Sequence, residues 1–256
     1  MGICSIHDVP DDFELTEIQR RAATCVQTRE AWFDREGLTA KLETLVYPIA
    51  YLDFETINPA IPRFAGTHPY QQIPFQWSAD IHKRPGVEPH HHEFVAKNTG
   101  DPRREFSTSL FAALPLEGSI VVYNQQFESA RLDELATALP EFAEGIKNIQ
   151  SRLWDLLPII RSHVYYPAFA GSYSLKSVLP AHVPNMSYAG MAVSNGQDVG
   201  LAWESLVSRN LVGAEIERIR KALLDYCAQD TLALVKLVTK LQSISTDLCD
   251  VVSLQR

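Results

Sequence analysis

Ile49-Ala50-Tyr51-Leu52-Asp53-Phe54-Glu55-Thr56 is the stretch on which the fold turns. Its apolar, β-branched and aromatic content predicts a strand. Residues two apart in a strand share a face, so Asp53 and Glu55 project to one side while Leu52 and Phe54 project to the other. Two carboxylates about 7 Å apart on one face repel unless something positive lies between them. Taken alone, the pair also fits a solvated acidic sheet face.

Outward from this strand, residues 72–82 alternate, with Ile73, Phe75, Trp77, Ala79 and Ile81 on one side and Pro74 marking a strand's beginning. Residues 91–96 predict a third strand after the Arg84-Pro85-Gly86 turn. Asp101 is expected to cap a helix with Pro102 at its first position, burying Phe106, Leu110, Phe111 and Leu114. A short strand at 118–123, a helix at 124–139 and a strand at 152–156 follow. Residues 163–188 read as loop with a short helix at 174–179, and a long helix covers about 214–243. Upstream, Thr16 and Gln19 fit a capping box that opens a helix within 13–36, and a shorter helix falls at 38–46. Three consecutive strands, then alternating helix and strand, predict an α/β sheet with helices packed on it. The expected organisation is a helical extension at 1–47 and one domain at 48–256.

With 256 residues and 46% apolar content the chain has ample core, and no linker-like tract divides it. The absence of an apolar run near the ~18 residues of a membrane span, and of a secretory signal pattern, predicts a cytoplasmic protein with no membrane partner. Cys4, Cys25, Cys227 and Cys249 form no CxxC pair and are expected to stay reduced. The net charge of −8 argues against a broad basic face for non-specific nucleic-acid binding. Two divalent cations bound by four carboxylates would cancel four of those negative charges.

Two further acidic residues break the apolar pattern. On the helix after Tyr123, Glu128 points along the same direction as Leu132, Leu135 and Leu139, whereas Asp133 and Glu134 point away. A salt bridge to Arg131 is the ordinary alternative. On the long C-terminal helix Asp230 falls within an arc made by Leu223, Tyr226, Cys227, Leu234, Leu237 and Leu241. Tyr226 lies one turn before it on the same face. Burying Asp53, Glu55, Glu128 and Asp230 without cations is costly. A pair of divalent metals bridged by acidic residues is a common engine of phosphodiester hydrolysis.

The segments LDFET, YNQQFE and YCAQD resemble the three motifs of the DnaQ-like (DEDD) 3′–5′ exonucleases, tyrosine subtype, on a ribonuclease H-like fold. The likeness spans roughly residues 48–243. It implies a mixed sheet of three antiparallel strands followed by alternating helices and strands, with helices on both faces. It also implies that Asp53, Glu55, Glu128 and Asp230 hold two Mg²⁺ or Mn²⁺ ions, that Tyr226 orients the attacking water, and that single-stranded DNA or RNA is the substrate. Thr56, Asn124 and Phe127, at motif positions, are expected to touch that substrate. Two departures stand out: Glu128 replaces an aspartate, and Ile57 replaces the glycine that often follows the first motif. The chain also resembles an uncharacterised bacterial domain family in which stretches like PAIPRFAGTHPYQQIPFQWS (59–78) and GSYSLKSVLP (171–180) recur. Such domains often form the C-terminal part of longer proteins, so a further N-terminal domain is expected.

Other residues have two readings each. Lys176, at a helix start, is a candidate phosphate contact or a solvated lysine. Tyr165, Tyr166, Phe169 and Tyr173 could stack bases or pack within their loop, and packing is preferred. His90-His91-His92 would be split across two faces of a strand and so makes a poor metal tract. Arg103-Arg104 reads as a solvated helix face, and Asp155 as a reserve ligand with a structural role preferred. The alternative function is a catalytically weak or inactive ribonuclease H-like module that binds nucleic acid or a protein partner. A phosphohydrolase built on Asp53-Phe54-Glu55-Thr56 ranks last, because it leaves Glu128 and Asp230 unexplained.

Overall fold

The computed structural model describes residues 5–10, 12–97, 99–193, 195–207, 211 and 213–246. In chain order its elements are α1 (Glu17–Thr28), β1 (Trp32–Phe33), α2 (Arg35–Leu42), β2 (Ile49–Ile57), β3 (Ile73–His82), β4 (His90–Val95), α3 (Arg103–Ala113), β5 (Ile120–Val122), α4 (Gln125–Ala138), α5 (Ala143–Gln150), β6 (Leu153–Asp155), α6 (Leu156–His163), β7 (Val164–Tyr165), α7 (Leu175–His182), α8 (Gly196–Val207) and α9 (Gly213–Thr246). They fall into two compact units. Among the described residues no helix is long and apolar enough to cross a membrane.

The larger unit, Leu45–Asp155 with Tyr188–Val235, is α/β and carries a five-stranded mixed sheet of order β4-β3-β2-β5-β6. β2 runs antiparallel to β3, and β3 to β4, whereas β2–β5 and β5–β6 pair in parallel. β2 is therefore the hinge between the antiparallel and parallel halves, and its backbone is bonded on both edges. The pleat sorts its side chains. Ala50, Leu52 and Phe54 join Trp77, Ala79 and Ile81 in a core with Phe106 and Leu110 of α3, Leu132 and Leu135 of α4, and Ile146 and Ile149 of α5.

The opposite face is polar at its centre. Asp53 pairs across with Ser78, Glu55 with Gln76, and Tyr51 with Asp80. Helix α9 covers this face through buried hydrogen bonds. Gln76 Nε2 donates to the Leu223 carbonyl at 2.7 Å, and Thr231 Oγ1 donates to Asp80 Oδ2 at 2.8 Å and shares a bond with Ser78 Oγ at 2.9 Å. Helix α8 lies on the same face, with Gly200 beside Ile57. A bulge where Thr56 faces Pro74 leaves Phe75 as the extra residue of β3. Its ring meets Trp203 of α8 at 4.9 Å and drops out of the single apolar side expected for Ile73–Ile81.

The second unit gathers Met1–Thr44, Leu156–Ser187 and Lys236–Arg256. The segment expected to be an N-terminal helical extension thus packs with residues from after β6 and from the end of α9. Within it β1 pairs antiparallel with β7, and the capping box of Thr16 and Gln19 opens α1. Tyr165, Tyr166, Phe169 and Tyr173 pack ring against ring, with His182 among them. These rings satisfy one another, which is the packing reading of that loop.

Local expectations shift in two places. The helix placed after Asp101 starts at Arg103 with Pro102 as its cap residue. Arg103 is not a solvated residue. It is 7% exposed, its guanidinium gripped by the Asp101 carboxylate and the Ala65 carbonyl, so only Arg104, paired with Glu141, fits the surface reading. The three histidines of β4 do divide by face: His90 and His92 rings lie 4.7 Å apart, while His91 bonds Asp80 and Glu93. Cys25 and Cys227 are free thiols, and Cys4 and Cys249 lie outside the described residues.

Candidate metal centre

Acidic side chains from β2, from α9 on its polar face and from the first turn of α4 gather here. Asp53 is half-buried, Glu55 is buried beside it, and Asp230 of α9 and Glu128 of α4 are 8% and 2% exposed. Burial pushes the Asp53 carboxyl well above the usual carboxylate range, and the charges of Asp230, Glu55 and Glu128 push it further. The other three acids singled out in the sequence thus all lie near enough for their charges to act on Asp53.

Glu128 is held there by local structure. Asn124 sits in the left-handed region at φ 77°, a conformation that asparagine tolerates better than most residues, and this turns the chain from β5 into α4. Asp155, at the end of the neighbouring strand β6, accepts the N–H groups of Asn124 at 2.9 Å and Gln125 at 3.0 Å. Asp155 thus works as a cap on α4, and its charge adds to the field at Glu128. Glu128 lies one turn inside the helix, in line with buried Leu132 and Leu135. Burial raises its carboxyl to about 8. The salt bridge considered for it goes elsewhere: Arg131 pairs with Glu134. Among the described residues, Glu128 Oε2 has no hydrogen-bond partner. A buried carboxylate oxygen with nothing to bond fits a cation far better than an apolar wall.

Around Asp230 the structure supplies two tyrosines. Tyr226 is 5% exposed, and its hydroxyl is pushed up by burial, then by Asp230, Glu55 and Asp53. Tyr188, from the loop after α7, donates its hydroxyl to Asp230 Oδ1, and its ring lies 6.0 Å from that of Tyr226. Sequence reasoning missed Tyr188, which sits in a loop without periodicity. It also counted Cys227 only as an apolar-arc residue. The Cys227 Sγ lies 3.6 Å from Asp53 Oδ2, and Asp53, Glu55 and Cys227 each offer a ligand atom within 4.8 Å of the others.

The expected substrate contacts divide. Thr56 donates to Gln72 Oε1 and lines a cavity of about 290 Å³ with Ile57, Asn58 and Pro59 at the end of β2, and Gly200 and Leu201 of α8. Asn124 is exposed at the start of α4. Phe127 packs against the core with the Arg131 guanidinium over its ring, so its main role is structural. Lys176 is exposed in the first turn of α7 and belongs to the second unit.

Residues 50–174 match a family described as a domain of unknown function (DUF2779). The chain is similar to three uncharacterized proteins. It is 27% identical over 208 residues to protein UU173 of Ureaplasma parvum, covering 72% of this chain and 30% of that protein. It is 26% identical over 234 residues to the MG366 homolog of Mycoplasma pneumoniae, covering 80% of this chain and 34% of that protein. It is 26% identical over 230 residues to MG366 of Mycoplasma genitalium, covering 76% and 32%. The chain thus spans about a third of the length of these relatives. No solved structure matches it.

Proposed function

We propose that this chain is a metal-dependent nuclease of ribonuclease H-like fold, hydrolysing single-stranded DNA or RNA from the 3′ end. The observation that carries the reading is the gathering of Glu55, Glu128 and Asp230 around Asp53, closely enough to raise its carboxyl, with one Glu128 oxygen unpartnered among the described residues. The sheet order, with an antiparallel half and a parallel half meeting at the strand that bears Asp53 and Glu55, also supports it.

The four carboxylates are an oxygen-only set suited to hard cations such as Mg²⁺ or Mn²⁺. Such ions, when bound, activate water and stabilise the charge that develops on a phosphodiester. The side chains have distinct tasks. Asp53, on the central strand, is the acid on which the charges of the other three act. Glu128 must give up its proton before it can serve as a ligand, and its extra methylene relative to aspartate reaches in from α4. Tyr188 donates its hydroxyl to one oxygen of Asp230 and so fixes the orientation of that carboxylate. Tyr226 keeps its proton at neutral pH, because burial and three carboxylates raise its hydroxyl, so it orients a water rather than deprotonating one.

The test is an assay of end-labelled single-stranded DNA and RNA with Mn²⁺, comparing the wild type with Asp53→Ala and Asp230→Asn. Loss of outer partners of metal ligands costs about 10–100-fold, so loss of a ligand should cost more. Equal hydrolysis by all three proteins would end this reading.

A further inference from the structure

The acid cluster contains one ligand atom of a different kind. Cys227 is fully buried on α9, and its S–H points at Asp53, donating to the carbonyl at 3.8 Å and to Oδ2 at 3.6 Å. A tetrahedral cation with an S bond of about 2.3 Å and an O bond of about 2.0–2.2 Å holds those two atoms about 3.5 Å apart. The observed separation is therefore already that of two corners of one coordination tetrahedron. Glu55 lies near enough to reach a third corner by a small side-chain adjustment, since all three ligand atoms lie within 4.8 Å of one another.

A second observation points the same way. Glu128, 2% exposed, keeps one oxygen without a hydrogen-bond partner among the described residues, and its charge acts on Asp53. The acids around Asp53 thus include a buried oxygen that no hydrogen bond occupies among the described residues. Hard oxygen ligands alone do not discriminate strongly for thiophilic metals, whereas one sulfur ligand does.

We propose that Asp53, Glu55 and Cys227 form a mixed carboxylate–thiolate site that captures a thiophilic cation such as Zn²⁺ or Cd²⁺, and that this capture shuts out the hard cations the carboxylates would otherwise hold. As the sulfur–metal bond forms, the S–H bond breaks and its proton passes to solvent. The capture itself is independent of catalysis; the inhibitory consequence rests on the nuclease reading above.

The experiment titrates metal-free full chain with Cd²⁺ and follows the thiolate-to-cadmium charge-transfer absorption. One equivalent of band is expected in the wild type and in Cys25→Ser, and none in Cys227→Ser or Cys227→Ala. Zn²⁺ should abolish the band by competition, and its affinity should fall at least ~10-fold on loss of Cys227. Two substitutions are used so that one folded variant, judged by circular dichroism, suffices. A band that persists in the folded variant, or no band in the wild type, overturns the proposal. In parallel, Zn²⁺ should inhibit Mn²⁺-supported hydrolysis by the wild type. A cadmium band without hydrolysis under any cation supports the capture site and sinks the nuclease reading. Hydrolysis without a band does the reverse.

Discussion

Glu128 sits at the extreme of the site: almost wholly buried, one oxygen unbonded among the described residues, and its carboxyl raised to about 8 from 4.5. A group raised in this way binds its proton more tightly when folded than when unfolded. Its contribution to stability is complete below the unfolded value and disappears as pH rises through about 8. The metal-free protein is therefore expected to lose stability between about pH 5 and 8, with a slope approaching ~1.4 kcal/mol per pH unit for each such group. Asp53, raised by burial and by its acidic neighbours, acts with the same sign. Urea melts at several pH values should show this fall, and Glu128→Gln should flatten it. An unchanged slope would mean that Glu128 ionises normally. Tyr188 is the second residue to test. Tyr188→Phe deletes the hydroxyl that holds Asp230, and Mn²⁺ affinity by calorimetry is expected to drop about 10–100-fold. Glu128 was legible because it interrupts a leucine stripe; Tyr188 was not, because nothing local distinguishes a loop tyrosine that reaches an acid 42 residues away.

The order of strands and the bounds of the long helices follow closely from local pattern. Residues 49–56 and 214–243 were expected, against the observed Ile49–Ile57 and Gly213–Thr246. The short helices were harder. Pro158 in the first turn of α6 looks like a breaker in sequence, yet a proline there removes no helical hydrogen bond. Gly145 within α5 also lowers helix propensity, and its reason is tertiary: a Cβ there would meet the Phe111 ring at 2.5 Å. The connection between β6 and α4 carries a prediction of its own. Asp155 holds the first two N–H groups at the start of α4. Asp155→Ala should cost about 1 kcal/mol in chemical unfolding, a typical value for a lost cap. It should also weaken Mn²⁺ binding by freeing the turn that aims Glu128. Stability loss with unchanged Mn²⁺ affinity would confine Asp155 to a capping role.

For the molecule entire, a net charge of −8 with acids gathered on one sheet face makes cation binding a stability question. A ligand that binds only the folded state adds about 2.7 kcal/mol at a hundred times its Kd. Mn²⁺ should accordingly raise the thermal midpoint, more at pH 8 than at pH 6, because protons compete for the raised carboxyls. Asp53→Ala should abolish that increment, and calorimetric scans with and without Mn²⁺ decide it. The chain's local periods, 2.0 in strands and 3.6 in helices, were enough to reveal an α/β sheet, to put Asp53 and Glu55 on one face of their strand, and to mark Glu128 and Asp230 as acids within apolar helix faces. Periodicity orients a side chain relative to its own element and carries nothing about its neighbours in space. Packing settled the rest: Cys227 against Asp53 across 174 residues, Tyr188 on Asp230, Asp155 as a cap, and the grouping of the first 44 residues with the segment after β6. Those contacts join positions distant along the chain, so they come into being only when the elements dock.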